Sequence, residues 1–98
     1  MNQEKKERVI VAVREYAQKN SSLIPEKYHL DFDSSMHIYN IGATMLMHKW
    51  DEGEYAPGSF VKAVLDNDLN LSFAYADGIN RECLHFYVVM LYNMGYVN

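Results

Sequence analysis

Among the side chains able to do chemistry, His29, Asp31 and Asp33 stand at intervals of two. In an extended segment they project to one side, where an imidazole and two carboxylates can hold a divalent cation. An ion held there would activate water, and the chain would be a metal-dependent hydrolase. Ligands from a single loop make no site without distant partners, however. His37 and His48 are eleven residues apart in the sequence. On a helix that is about three turns, or ~16 Å along the axis, too far to share one ion. A solvated loop leading to a serine cap explains the three residues with fewer assumptions, and no metal is expected.

Cys83 and His85 form the other suggestive pair. Two residues apart on a helix, they point in different directions, so a nucleophile–base pair would need a special geometry. Cys83 reads instead as a small core hydrophobe, and His85 as bonded to a carbonyl or facing an interface. G-x-S-x-G, P-loop, H-E-x-x-H and paired-cysteine motifs are absent. No catalytic residue and no cofactor are expected, and the chain is read as a non-enzyme.

The one compositional surplus is eight Tyr and six Met. Tyr joins an apolar body to a polar tip and Met adapts to irregular surfaces, so both suit interfaces. Tyr55, Tyr75 and Tyr96 fall at segment ends and are the candidates for partial exposure. Such a ring could stack on a nucleobase while Lys62 or Arg81 meets phosphate. Tyr75, Lys62 and Arg81 are therefore the candidate residues for a small anionic ligand such as a signalling nucleotide. The preferred reading places the aromatic residues in a core and an oligomer interface.

The elements that must position these groups read as helices. Over residues 2–19, Val9, Ile10, Val13, Tyr16 and Ala17 recur at helical spacing, supported by Glu4–Arg8 and Glu15–Lys19 pairs. This first helix carries five basic and three acidic groups within residues 1–20, against four and ten in the remainder. That imbalance suits a solvated face or a helix docked on an acidic surface, its own or a neighbour's. Residues 20–33 read as loop, with YHLDFD at 28–33 alternating as a short extended piece would.

A second helix is expected over about 35–50, capped by Ser34 or Ser35. Gly42 inside it costs about 1 kcal/mol in propensity, which a close helix–helix contact would explain. The C-terminal helical motif spans 57–94. Ser59 caps its first helix and Asp66-Asn67-Asp68 interrupt. Leu69, Phe73 and Ala76 form a second short stripe, and Asp77 caps a last helix over about 79–94. That last helix is apolar nearly all round, more than a chain of 98 residues can cover. A second subunit would cover the excess, with Met45, Trp50, Phe86, Met90 and Met94 as the candidate interface.

The string Pro57-Gly58-Ser59-Phe60, Ala63-Val64, Asn67-Asp68-Leu69 and Ala76-Asp77 with Asn80 and Leu84 resembles a family of small uncharacterised phage and prophage proteins. The likeness covers about the C-terminal half, with a looser echo in Asp51-Glu52-Gly53; the first helix lies outside it. It implies a mobile-element origin and carries no activity and no site residues with it.

The totals set the remaining bounds. One domain, residues 1–98, has room for one core. A net charge of −4 argues against nucleic acid as a partner, since phosphate neutralisation needs clustered Lys and Arg. The apolar segments 36–50 and 83–97 fall short of the roughly 18 residues a membrane span needs, so no membrane partner is expected. A lone cysteine and an opening without a secretory pattern point to the cytoplasm. The expectation is an all-α single domain, a compact bundle of four to five helices. It would act by non-catalytic protein–protein binding, self-associating and engaging a host or mobile-element protein. Subunit number, and whether the first helix packs on its own subunit, are left to the structure.

Overall fold

The computed structural model describes residues 3–53 and 56–95. Among these, seven α-helices, one short 3-10 helix (Ser21–Leu23) and no strand are found: α1 (Gln3–Lys19), α2 (Glu26–His29), α3 (Phe32–Lys49), α4 (Ser59–Leu65), α5 (Leu69–Tyr75), α6 (Gly78–Glu82) and α7 (Leu84–Met94). The all-α expectation holds, with more and shorter helices than the four or five anticipated.

The bundle is assembled around α3, which buries Ile38, Tyr39, Gly42, Ala43, Met45, Leu46 and Met47. α1 lays Val9, Val13 and Ala17 against it. Gly42 is the point of closest approach: a Cβ there would stand 3.0 Å from Val13 Cγ1 and 3.3 Å from the Met90 sulfur. The glycine thus lets α1, α3 and α7 meet, the contact its presence in a helix called for. Polar ties fix the same pairing. Lys5 forms an ion pair with Glu52 at 2.7 Å, and Lys6 Nζ donates to Thr44 Oγ1 at 3.3 Å. The first helix therefore packs on its own subunit, with one of its lysines against an acidic loop.

An aromatic chain runs through the interior. Tyr16 meets Phe86 at 6.1 Å between ring centroids, Phe86 meets Tyr87 at 5.7 Å, and Tyr87 meets Phe60 at 5.9 Å. These tilted and edge-on geometries are the favourable ones for rings with a negative face and a positive edge.

Several local expectations are corrected. Residues 28–33 are not extended: α2 ends at His29 and Asp31 caps α3, accepting from the Ser34 amide at 3.1 Å. α3 therefore starts three residues before the expected boundary. Ser35, one of the expected caps, instead donates its hydroxyl to the Tyr28 carbonyl at 2.6 Å, pinning α2 onto α3. Gly58, not Ser59, occupies the cap position of α4. The last helix divides at Cys83, whose ψ of 10° is far from the helical value. That bend lets α7 turn Leu84, Phe86, Tyr87 and Met90 inward together.

Two helices end in the same motif. After α3, the amides of Asp51 and Glu52 bond back to His48 and Met47; after α4, those of Asn67 and Asp68 bond back to Val64 and Ala63. Both are Schellman ends, with Asp51 (φ 63°) and Asn67 (φ 61°) in the left-handed conformation where glycine is commonest. Gly53 follows the first of them, and a Cβ there would overlap the His48 ring.

Candidate interaction surface

The α4–α5 hairpin sets up the least expected surface of the molecule. α4 sends Phe60, Val61, Ala63 and Val64 into the core. The left-handed Asn67 then reverses the chain, and Asp68 caps α5 by accepting from the Leu71 amide at 3.0 Å. Within α5 the one buried residue is a serine: Ser72 turns inward and bonds the Asp68 carbonyl at 2.7 Å. The apolar side chains lie on its two flanks, Leu69 and Phe73 on one and Leu71 and Tyr75 on the other, and are all exposed. Leu69 is 63% exposed, Tyr75 54%, and Leu71 and Phe73 nearly half.

α7 adds to this surface from the side. Val88 is 52% exposed and Tyr92 77%, while Leu84 and Leu91 lie deeper. A groove runs between the hairpin and α7 as two adjoining cavities of about 160 Å³ each, both bordered by Val64, Asn67 and Val88. Leu69, Ser72 and Leu84 complete one; Lys49, Leu65, Leu91 and Tyr92 complete the other. Among the described residues, Lys49 is the one charged residue lining either cavity. Apolar surface left in water costs roughly 25 cal/mol per Å², so such a face is stabilised by whatever covers it.

The structure redistributes the expected interface. Met45, Phe86 and Met90 are fully buried in the chain's own core, so they have no surface to offer a neighbour. Trp50 and Met94 are half-buried and joined to each other, the Trp50 Nε1 donating to the Met94 carbonyl at 3.3 Å. Among the described residues the exposed large apolar side chains of this region are Leu69, Leu71, Phe73, Tyr75, Val88 and Tyr92, with Val11, Leu30 and Phe32 exposed elsewhere, and the expected stripe of Leu69 and Phe73 faces out. A signal for α5 was present. Leu69, Leu71, Phe73 and Tyr75 alternate with period two, and a helix spaced at 100° per residue cannot turn all four to one side.

The candidate ligand residues are separately engaged. Lys62 pairs with Asp66 at 2.7 Å, and that hydrogen bond raises the lysine pKa. Arg81 donates to the Ala76 carbonyl at 3.4 Å. Tyr75 is half exposed at the end of α5. No hydrogen bond, ion pair or ring contact among the described residues joins any two of these three. Tyr55 and Tyr96 lie outside the described residues.

The chemistry-bearing residues of the opening serve the fold. His29 Nε2 lies 2.9 Å from the Ser21 carbonyl, and Asp31 is the cap of α3. Among the described residues no group of three or more His, Cys, Asp or Glu is placed to share an ion. Cys83 is buried, and desolvation, with Glu82 and Asp77 nearby, pushes its thiol up to about 12. It is protonated and a poor nucleophile at neutral pH. His85 faces outward. No helix of the described residues is long and apolar enough to cross a membrane. Comparison with family models, with curated proteins and with solved structures returns no match.

Proposed function

We propose that this chain is a small helical binding protein of the kind carried by phages and other mobile elements. It acts by non-catalytic contact with protein chains, its own copies included, and works in the cytoplasm. The observation that carries the reading is the outward apolar face of α5 and α7, where Leu69, Phe73, Val88 and Tyr92 stand exposed beside a groove. Exposed apolar surface of this kind marks protein interaction sites. The mobile-element origin rests on the resemblance of residues 57–84, and the cytoplasmic setting on a lone, buried, unpaired Cys83.

Affinity capture with the purified chain tests the reading. Wild type is compared with a Val88→Glu, Tyr92→Glu variant checked for unchanged folding by circular dichroism. A discrete set of host or element proteins retained by wild type and lost by the variant is expected. Identical sets for both proteins would remove this face from the function.

A further inference from the structure

We infer that a second copy of this chain covers the α5–α7 face, the two copies being related by a twofold axis. In that arrangement the Leu69–Phe73 flank of each α5 seats in the groove between α4 and α7 of the other. The inference rests on the binding function proposed above and names its occupant.

The first support is shape. A twofold interface uses one patch on both subunits, so the patch must carry a projection and a matching recess side by side. This face does. Leu69 and Phe73, one turn apart on α5, form a ridge that rises beside the groove, and Leu69 itself borders one of the cavities. The recess is apolar, floored by Val64, Leu65, Leu84 and Leu91, and suits a leucine and a phenylalanine rather than a polar peptide.

The second support is size. The exposed parts of Leu69, Phe73, Val88 and Tyr92 offer on the order of 500 Å² of mostly apolar surface, judged from ordinary side-chain areas. With the groove walls and a polar rim this approaches the roughly 800 Å² per partner of a standard stable interface. Charge agrees with self-pairing. The patch carries one charge of each sign, Lys49 on the groove wall and Asp68 at the head of α5, with the polar Asn67 and Asn70 of the hairpin and His85 of α7 around them. A partner of one strong sign gains little there, whereas a second copy brings both signs to the contact. The interior stays out of the contact, since Met45, Phe86 and Met90 are already buried within each subunit.

Sedimentation velocity of the full-length chain from micromolar to near-millimolar concentration is the test. It is run on wild type, Leu69→Glu and Val88→Glu. Because both side chains are more than half exposed, the substitutions leave the core intact. A wild-type dimer is expected, with dimerisation weakened about 100-fold or more in either variant, because a carboxylate would be carried into an apolar recess. Hydrogen exchange on wild type gives an independent check: protection of the α5 amides should rise with concentration. A wild type that stays monomeric throughout overturns the inference, as does a dimer indifferent to both substitutions. A monomer whose capture of a foreign protein depends on Val88 would overturn the inference while leaving the binding function standing.

Discussion

The Tyr87 hydroxyl donates to the side-chain carbonyl of Asn80 at 2.7 Å, joining α6 to α7 across the Cys83 bend. Both groups are buried, and burial pushes the Tyr87 phenol well above its ordinary pKa, keeping it a donor. The Asn80 backbone is fixed as well, since its main-chain N–H donates to the Asp77 cap at 2.7 Å. Removing the hydroxyl strands a buried acceptor, which costs more than the hydrogen bond was worth. Tyr87→Phe should therefore lower stability by about 1–3 kcal/mol in urea denaturation. Combined with Asn80→Ala, the two losses should fall short of additive. A Tyr87→Phe protein as stable as wild type would remove this bond from the account of the bend.

Gly42 offers a test of the central contact. Alanine there gains helix propensity but forces Val13, a stiff and fully buried side chain, to yield by a few tenths of an ångström. Valine adds two further methyl groups with nowhere to go. Gly42→Val should destabilise by about 1–3 kcal/mol, with Gly42→Ala clearly milder. Thermal melts of the pair decide the matter, and a Gly42→Val protein as stable as wild type would show that α1 can slide away at no cost.

The two left-handed helix ends predict a change in the opposite direction. Asp51 sits at φ 63° in the turn after α3. A Cβ is disfavoured in this conformation, though less for Asp and Asn than for other residues. Asp51→Gly should match or raise stability by up to about 0.5 kcal/mol, whereas Asp51→Val should lose about 1–2 kcal/mol. Tolerance of valine in denaturant titrations would mean that the α3 end rearranges without cost.

The contact between α2 and α6 carries a pH signature. The Tyr28 hydroxyl donates to Glu82, and Lys27 pairs with the same carboxylate at 3.2 Å. These two hydrogen bonds, the tyrosine's first, hold the Glu82 carboxyl below its usual range. A depressed carboxylate contributes stability above its unfolded-state pKa and loses it as pH falls through the folded-state value. The advantage of wild type over Glu82→Gln should thus be full at neutral pH and fade in acid, below the ordinary glutamate range. Melting curves of both proteins between about pH 3 and pH 8 check this, and parallel profiles would contradict it. The charged pair of Lys27 and Glu82 is exposed, so added salt should shrink the effect.

Much of the helical outline was readable from single residues. The stripe of Val9, Val13 and Ala17 placed α1, Gly42 announced a close crossing, and Asp77 announced a cap. Other features depended on what lies across space. Asp31, Ser34 and Ser35 are all good caps, and Asp31 takes the role while the Ser35 hydroxyl reaches back to Tyr28. Nothing local marks the bend at Cys83. The nature of Met45, Phe86 and Met90 showed that they would be covered but not by which chain, and their own core covers them. For α5, helical periodicity was read into a pattern of period two, and the exposed surface was missed as a result.

The attachment of α5 has an evolutionary consequence. The helix is tied to α4 by the Asp68 amide, which donates to the Ala63 carbonyl, and turns Ser72 and Ala76 inward, while Leu69, Leu71, Phe73 and Tyr75 contribute little to the core. Substitutions at such exposed positions usually change stability by no more than about 0.5 kcal/mol. These four positions can drift, and be selected, almost independently of foldability. A lineage under pressure to change its binding partner could rewrite the outer side of α5 while Val13, Gly42, Phe86 and Tyr87 stay as they are, so recognition evolves on a scaffold that does not have to evolve with it.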